Sequence, residues 1–269
     1  MMADKNRKPS LPSVGDSSFR TRFAPTADAD IYYPESDGKP MAETEVHRDA
    51  IYKALYSLIE YFKDDSDVCA SGNLMMYYVK GDPRKSTSPD VFVTFGIEKK
   101  LRRIYKIWEE GKPPDFVIEF SSPKTYKRDL REKKKLYAEI GIEEYFLYDA
   151  GSNLLPEPLM GFRLVDGEYV AIEPDTDGNV YAETLGLELR LQDDGLGFFD
   201  PVSEKWLETP AEAAAHRAEQ AEVRAEQAEA TTEEEAKARQ LVEEENTLLR
   251  EEIARLRTQM ESSSTNTKR

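Results

Sequence analysis

PDFVIEFSSPKTYKRDLREKKKLYAEIGIEEYFLYD, residues 114–149, carries a whole architecture in miniature. FVIEF (116–120) reads as a buried strand, and Ser121-Ser122-Pro123 stops it. Asp129 to Ile140 has helical character, with Leu130, Leu136, Tyr137 and Ile140 available to face a core, and Gly141 is suited to end the helix. EYFLYD (144–149) is then a second strand. The odd residue is Glu119. A carboxylate between Phe116, Val117, Ile118 and Phe120 is expensive to bury unless a positive charge, either a side chain or a metal, sits against it.

Upstream, a helix is expected over 43–63, where Val46, Ile51, Ala54, Leu55, Leu58, Ile59 and Phe62 fall near helical spacing. LMMYYV (74–79) and VFVTF (91–95) read as strands around a turn-like GDPRKSTSP, and 97–108 as a short basic helix or loop. Downstream, FRLV, YVAI and LELRL between 159 and 199 read as antiparallel hairpins. The predicted order of helix, three strands, helix and strand describes an α/β sandwich on a mixed sheet with a small β appendage.

The last 60 or so residues differ in kind. RAEQAEV (217–223) is followed at once by RAEQAEA (224–230), a seven-residue period in an Ala- and Glu-rich run. Steps of three and four connect Ala211, Ala214, Ala218, Ala221, Ala225 and Ala228, and the same register resumes at Val242, Asn246, Leu249, Ile253, Leu256 and Met260. This spacing predicts a coiled-coil helix over 206–261, hence a homodimer, with Asn246 at a core position that favours a parallel pair. Residues 1–30 read as a disordered arm and 262–269 as a disordered tail.

Composition narrows the function. One cysteine, Cys69, leaves no internal disulfide and no Cys-based zinc site, and two histidines are too few for a His-rich one. Residues 1–25 lack an apolar signal core, and no run of 18 apolar residues occurs, so a soluble cytoplasmic protein without a membrane span is expected. A net charge of −16 argues against nucleic acid. Residues 99–135 reverse that locally, with 13 Lys or Arg against 6 Asp or Glu on both sides of Glu119.

A second acid lies in Ser88-Pro89-Asp90-Val91, at the start of its own strand. If strands 91–95 and 116–120 pair, Asp90 and Glu119 meet at one sheet edge and suit a hard divalent cation, with the Phe120 carbonyl as a third oxygen. Such a metal binds a phosphate oxygen and lowers the pKa of a water. Lys133, about 40° round an α-helix from Asp129, is placed to hold that water, and Tyr137 continues the stripe. Lys124, Lys134 and Lys135 compete with Lys133 for this role.

SPD at 88–90, followed by E-x-x-S-P, D-x-x-x-K-x-x-x-Y and G-I-x-E-Y-x-x-x-D within 119–149, resembles the Uma-two family of restriction endonuclease-like proteins in the PD-(D/E)xK nuclease superfamily. The resemblance spans roughly residues 30–200. It implies a restriction-endonuclease-like core over 31–205 and a Mg²⁺-dependent endonuclease, with Mn²⁺ as a possible substitute and DNA as substrate. By position, Asp90 and Glu119 match the metal-binding acids. The usual superfamily lysine lies two residues after the second acid, where this chain has Ser121, and the family takes its lysine from the next helix, at Lys133. Glu45 matches an extra acid that ligates metal through water, with His47 close by. Lys124, Lys127 and Arg128 are the expected contacts to the nucleic-acid backbone. The competing expectation is a catalytically inactive nuclease-fold scaffold or DNA-binding protein that recruits partners through its coiled coil.

Overall fold

The computed structural model describes residues 31–38, 44–151 and 153–266, with side chains as far as Arg257. The arm expected over 1–30 and the side chain of Met260 lie outside the described residues. The fold is mixed α/β with a long C-terminal helix, and the chain divides into two compact units after Leu207.

In chain order the first unit holds α1 (Glu45–Tyr61), β1 (Val68–Ser71), β2 (Met76–Tyr77), β3 (Ser86–Thr87), β4 (Val91–Phe95), β5 (Tyr105–Lys106), α2 (Ile107–Glu110) and β6 (Phe116–Phe120). Next come α3 (Tyr126–Arg128), a π-helical turn (Asp129–Lys133), α4 (Lys134–Ile140) and β7 (Glu144–Tyr148). It closes with β8 (Leu159–Val165), β9 (Glu168–Ile172), β10 (Val180–Ala182), β11 (Leu187–Gln192), β12 (Gly195–Asp200) and β13 (Lys205–Trp206). Six strands form the central sheet in the order β1-β4-β6-β7-β8-β9, with β6 and β7 parallel and every other pair antiparallel.

The parallel step follows from the quoted stretch. After β6 the chain crosses through α3, the π turn and α4, is turned by Gly141 in the left-handed conformation (φ 83°), and re-enters alongside as β7. Side-chain alternation along β6 then sets the two cores. Phe116, Ile118 and Phe120 pack with Ile51, Leu58 and the strands β10 to β12, while Val117 faces the opposite side with Tyr137, Tyr145 and Leu147. By the same parity Glu119 points to the α4 side.

Several boundaries differ from those expected. The first strand of the central sheet is β1, not 74–79; the apolar run at 74–79 supplies only β2, in a separate three-stranded sheet ordered β3-β2-β5. The hairpin β8-β9 extends the central sheet, and the separate β layer is the four-stranded β10-β11-β12-β13. Only five residues, 121–125, join β6 to α3, because the helical segment begins at Tyr126 and not at Asp129. Within 97–108 the chain forms β5 and the start of α2.

Gly72, just past β1, allows an unusually close approach. A Cβ built there would stand 2.2 Å from the Asp90 carbonyl oxygen, and the next amide, Asn73 N–H, donates to Pro89 O at 2.9 Å.

The second unit is α5 (Pro210–Asn266), 57 residues long. Thr209 and Glu212 begin it with a reciprocal capping box: Thr209 N–H donates to Glu212 Oε2 at 2.7 Å and Glu212 N–H to Thr209 Oγ1 at 3.3 Å. The helix continues through 262–266, which the sequence reading assigns to a tail. Val242, Leu249, Ile253 and Leu256 are about half exposed along one seam of the single chain. No helix among the described residues is long and apolar enough to cross a membrane.

Candidate active site

Asp90, Glu119 and Lys133, drawn from β4's entry, β6 and the π turn, converge in one cluster. Val91 pairs with Ile118 across β4 and β6, which brings the peptide of Asp90 level with Glu119. Phe120 N–H donates to Asp90 Oδ2 at 2.8 Å, and Asp90 N–H lies 3.4 Å from Glu119 Oε2. Lys133 Nζ stands 2.7 Å from Glu119 Oε2 and 3.6 Å from Asp129 Oδ1. The partner that a carboxylate inside FVIEF demands is therefore an ammonium from the following helix.

The π turn makes this alignment possible. In an α-helix, positions four apart overshoot a full turn by about 40°, so Asp129, Lys133 and Tyr137 would drift round the helix. A π turn takes more residues per revolution, so the same four-residue step falls short of a turn and cancels the drift. Asp129, Lys133 and Tyr137 are all buried.

Tyr137, which the sequence reading offers both to the core and to the stripe through Lys133, touches the cluster directly. Its hydroxyl donates to Glu119 Oε1 at 2.5 Å and is itself 3.3 Å from Thr87 Oγ1 on β3. Its four-residue spacing from Lys133 was the signal for the stripe, and its aromatic bulk the signal for the core. Replacing it with Phe leaves Glu119 Oε1 buried without that donor, so Tyr137→Phe is expected to lose about 1–3 kcal/mol of stability by urea denaturation. A loss below the error of the method would show that Glu119 does not depend on this bond.

Electrostatics in the cluster are strained toward too much negative charge. Burial, reinforced by the charge of Glu119, pushes the Asp90 carboxyl well above the usual range. Burial also raises Asp129, against the pull of Lys133, to about 6. For Lys133 burial opposes the charge, but Glu119, Asp90 and Asp129 together outweigh it and raise the ammonium. Glu119 and Asp129 are each 1% exposed, whereas Asp90 is half-buried, so Asp90 marks the open side of the site. Two acids with a cation deficit between them fit a hard divalent ion. Among the described residues no three His, Cys, Asp or Glu side chains form a ready-made metal cluster. Mg²⁺ suits such a sparse set, because it is held by one or two carboxylates and completes its shell with water and substrate phosphate.

The other expected residues lie outside this cluster. Glu45 is exposed at the first turn of α1, and no hydrogen bond or ion pair among the described residues joins it to Asp90 or Glu119. His47 packs edge-on to Phe120, with ring centroids 6.5 Å apart. Lys134 is spent on the Phe162 ring, 3.5 Å from its centroid, and Lys135 pairs with Glu139 at 3.7 Å. Ser121, at the superfamily's lysine position, is buried, and among the described residues its hydroxyl has no hydrogen-bond partner.

The basic window is also less exposed in charge than its sequence suggests. Arg102, Lys106 and Lys112 are held by Glu110, Glu109 and Asp115. Lys124, Lys127, Arg128 and Arg131 are exposed on the helix entry, and no ion pair with an acid engages them among the described residues.

A family model described as "Uma2: Putative restriction endonuclease" matches residues 24–194. The chain belongs to the Uma2 family. The match takes in Asp90, Glu119 and Lys133 and stops before α5, so the long helix is an addition to the Uma2 region. Among solved structures, one titled a putative nuclease belonging to DUF820 from Anabaena variabilis, at 1.96 Å resolution, aligns at a TM-score of 0.40 and 20% identity, over 56% of this chain and 80% of that one. No curated protein matches.

Proposed function

We propose that this Uma2 protein is a divalent-metal-dependent endonuclease with a restriction-endonuclease-like core, hydrolysing phosphodiester bonds in DNA. The observation that carries the reading is the convergence of Asp90, Glu119 and Lys133 from three separate elements on one half-open cluster. Asp90 and Glu119 would hold Mg²⁺, or Mn²⁺ in its place, which when bound would polarise a phosphate oxygen and acidify a water. Lys133 keeps a proton donor and a positive charge beside the reacting phosphate. Tyr137 holds the far oxygen of Glu119 and so fixes the plane of its carboxylate. The test is cleavage of supercoiled plasmid by the full chain in Mg²⁺, Mn²⁺ or EDTA. If the parent neither cuts nor binds Mn²⁺, the inactive scaffold becomes the better reading.

Lys124, Lys127, Arg128 and Arg131 would seat the backbone, because phosphate contacts position a duplex without reading its sequence. Lys127→Ala and Arg128→Ala are each expected to weaken binding by a similar factor on unrelated DNA sequences and to lower the salt slope by about one. Fluorescence anisotropy across several salt concentrations measures both, and an unchanged slope would remove these side chains from the interface.

The exposed seam of α5 supports a homodimer through this helix. Leu249 and Leu256 alternate along it with Asn246 and Ile253, the pattern that favours a two-stranded coil. A dimer supplies two sites per assembly, as cutting both strands of a duplex requires.

A further inference from the structure

We propose that Asp129 is a positioning residue that takes over the Lys133 ammonium when a divalent cation displaces it from Glu119. The proposal rests on the nuclease reading and deepens it. With no cation present, Lys133 supplies the positive charge that Glu119 Oε2 needs, at 2.7 Å. That oxygen is the one nearer Asp90, since Oε1 is occupied by the Tyr137 hydroxyl. A metal shared by Asp90 and Glu119 therefore competes with Lys133 for the same atom. Lys133 is only 8% exposed, so an ammonium pushed off Glu119 without another acceptor would be a buried, unpaired charge.

The structure holds such an acceptor in reserve. Asp129 is 1% exposed, and its Oδ1 is buried with no hydrogen-bond partner among the described residues. A native fold rarely leaves a buried carboxylate oxygen unsatisfied, and such a group calls for an explanation. Oδ1 lies 3.6 Å from Lys133 Nζ, too long for a hydrogen bond and under 1 Å from becoming a charge-assisted one of about 2.7–2.9 Å. The π turn keeps both residues on one face, so the transfer needs only the end of the lysine chain to swing. After it, the ammonium remains beside the metal position, where it can hold a water.

Mn²⁺ titration calorimetry on four full-length proteins tests this: the parent, Asp129→Asn, Lys133→Met and the double variant. Asp129→Asn is expected to bind Mn²⁺ about 10–100-fold more weakly, because the ammonium stays on Glu119. Lys133→Met is expected to bind at least as tightly as the parent, and adding Asp129→Asn to it should change affinity by no more than about twofold. Parent-like affinity in Asp129→Asn would overturn the proposal, as would an equal weakening with or without Lys133, which would make Asp129 an ordinary source of negative charge. Absence of Mn²⁺ binding by the parent would overturn the nuclease reading as well, so the two failures are distinct. Should Lys133→Met not fold, the Lys133 Nζ resonance decides: Mg²⁺ must shift it in the parent and leave it in place in Asp129→Asn, and a resonance that Mg²⁺ does not move in the parent overturns the proposal.

Discussion

Alanine at Asp90 or at Glu119 is expected to abolish metal-dependent plasmid cleavage, a fall of more than about 10³-fold, comparable to losing a group on which the whole constellation depends. Each substitution removes one of only two carboxylates that meet at the open side of the site, and the described residues offer no third acid in contact with both. The same variants should lose Mn²⁺ binding by calorimetry. Cleavage by either variant at the parent's rate would mean that the activity comes from elsewhere on the chain or from a contaminant. Cleavage lost with Mn²⁺ affinity intact would move these acids from the metal to the substrate.

Lys133→Met is expected to cost about 3–5 kcal/mol of stability at pH 8 without divalent metal, because it strips from a cluster of buried acids the one ammonium that pairs with them among the described residues. The pH dependence has a definite sign. Asp90 and Asp129 already titrate above their ordinary values in the folded parent, Asp129 at about 6 against 3.8. Between those two values the folded chain binds more protons than the unfolded one, so this group lowers stability as pH rises, by roughly 3 kcal/mol in all. Lys133 itself is raised and stays charged throughout that range. Removing it pushes the acids higher still. The deficit of the variant relative to the parent is therefore full above those pKa values and shrinks as pH falls through them. Urea denaturation of both proteins at pH 5 and pH 8 in EDTA measures it, and a loss that is small or the same at both pH values would show that the ammonium does not neutralise the cluster.

The half of the fold that holds the Asp90–Glu119–Lys133 cluster was legible because its signals are local and strong. FVIEF is an apolar run that marks a buried strand with Glu119 as its one exception, and Gly141 ends the helix as its position suggests. Lys133 could be chosen from a run of three lysines through its spacing from Asp129 and Tyr137 together with the family resemblance. What stayed hidden depends on tertiary contacts. VCAS, the edge strand, is short and follows DDSD, so neither its length nor its composition marks it against the more apolar 74–79. The π turn has no composition of its own, and Tyr137 looks like any core aromatic until the Glu119 oxygen is seen against its hydroxyl. Lys106 and Arg102 illustrate a further limit: a charge count records cations that the fold has already neutralised.

Gly72 extends the site to a residue with no functional group. It contributes no donor, charge or ligand, yet any side chain there meets the main chain of Asp90 before it meets anything else. A site of this kind can be judged intact or decayed by whether its acids and its lysine survive. By that criterion a copy with Ala in place of Gly72 would be scored intact, although its first acid could no longer sit where the second requires it.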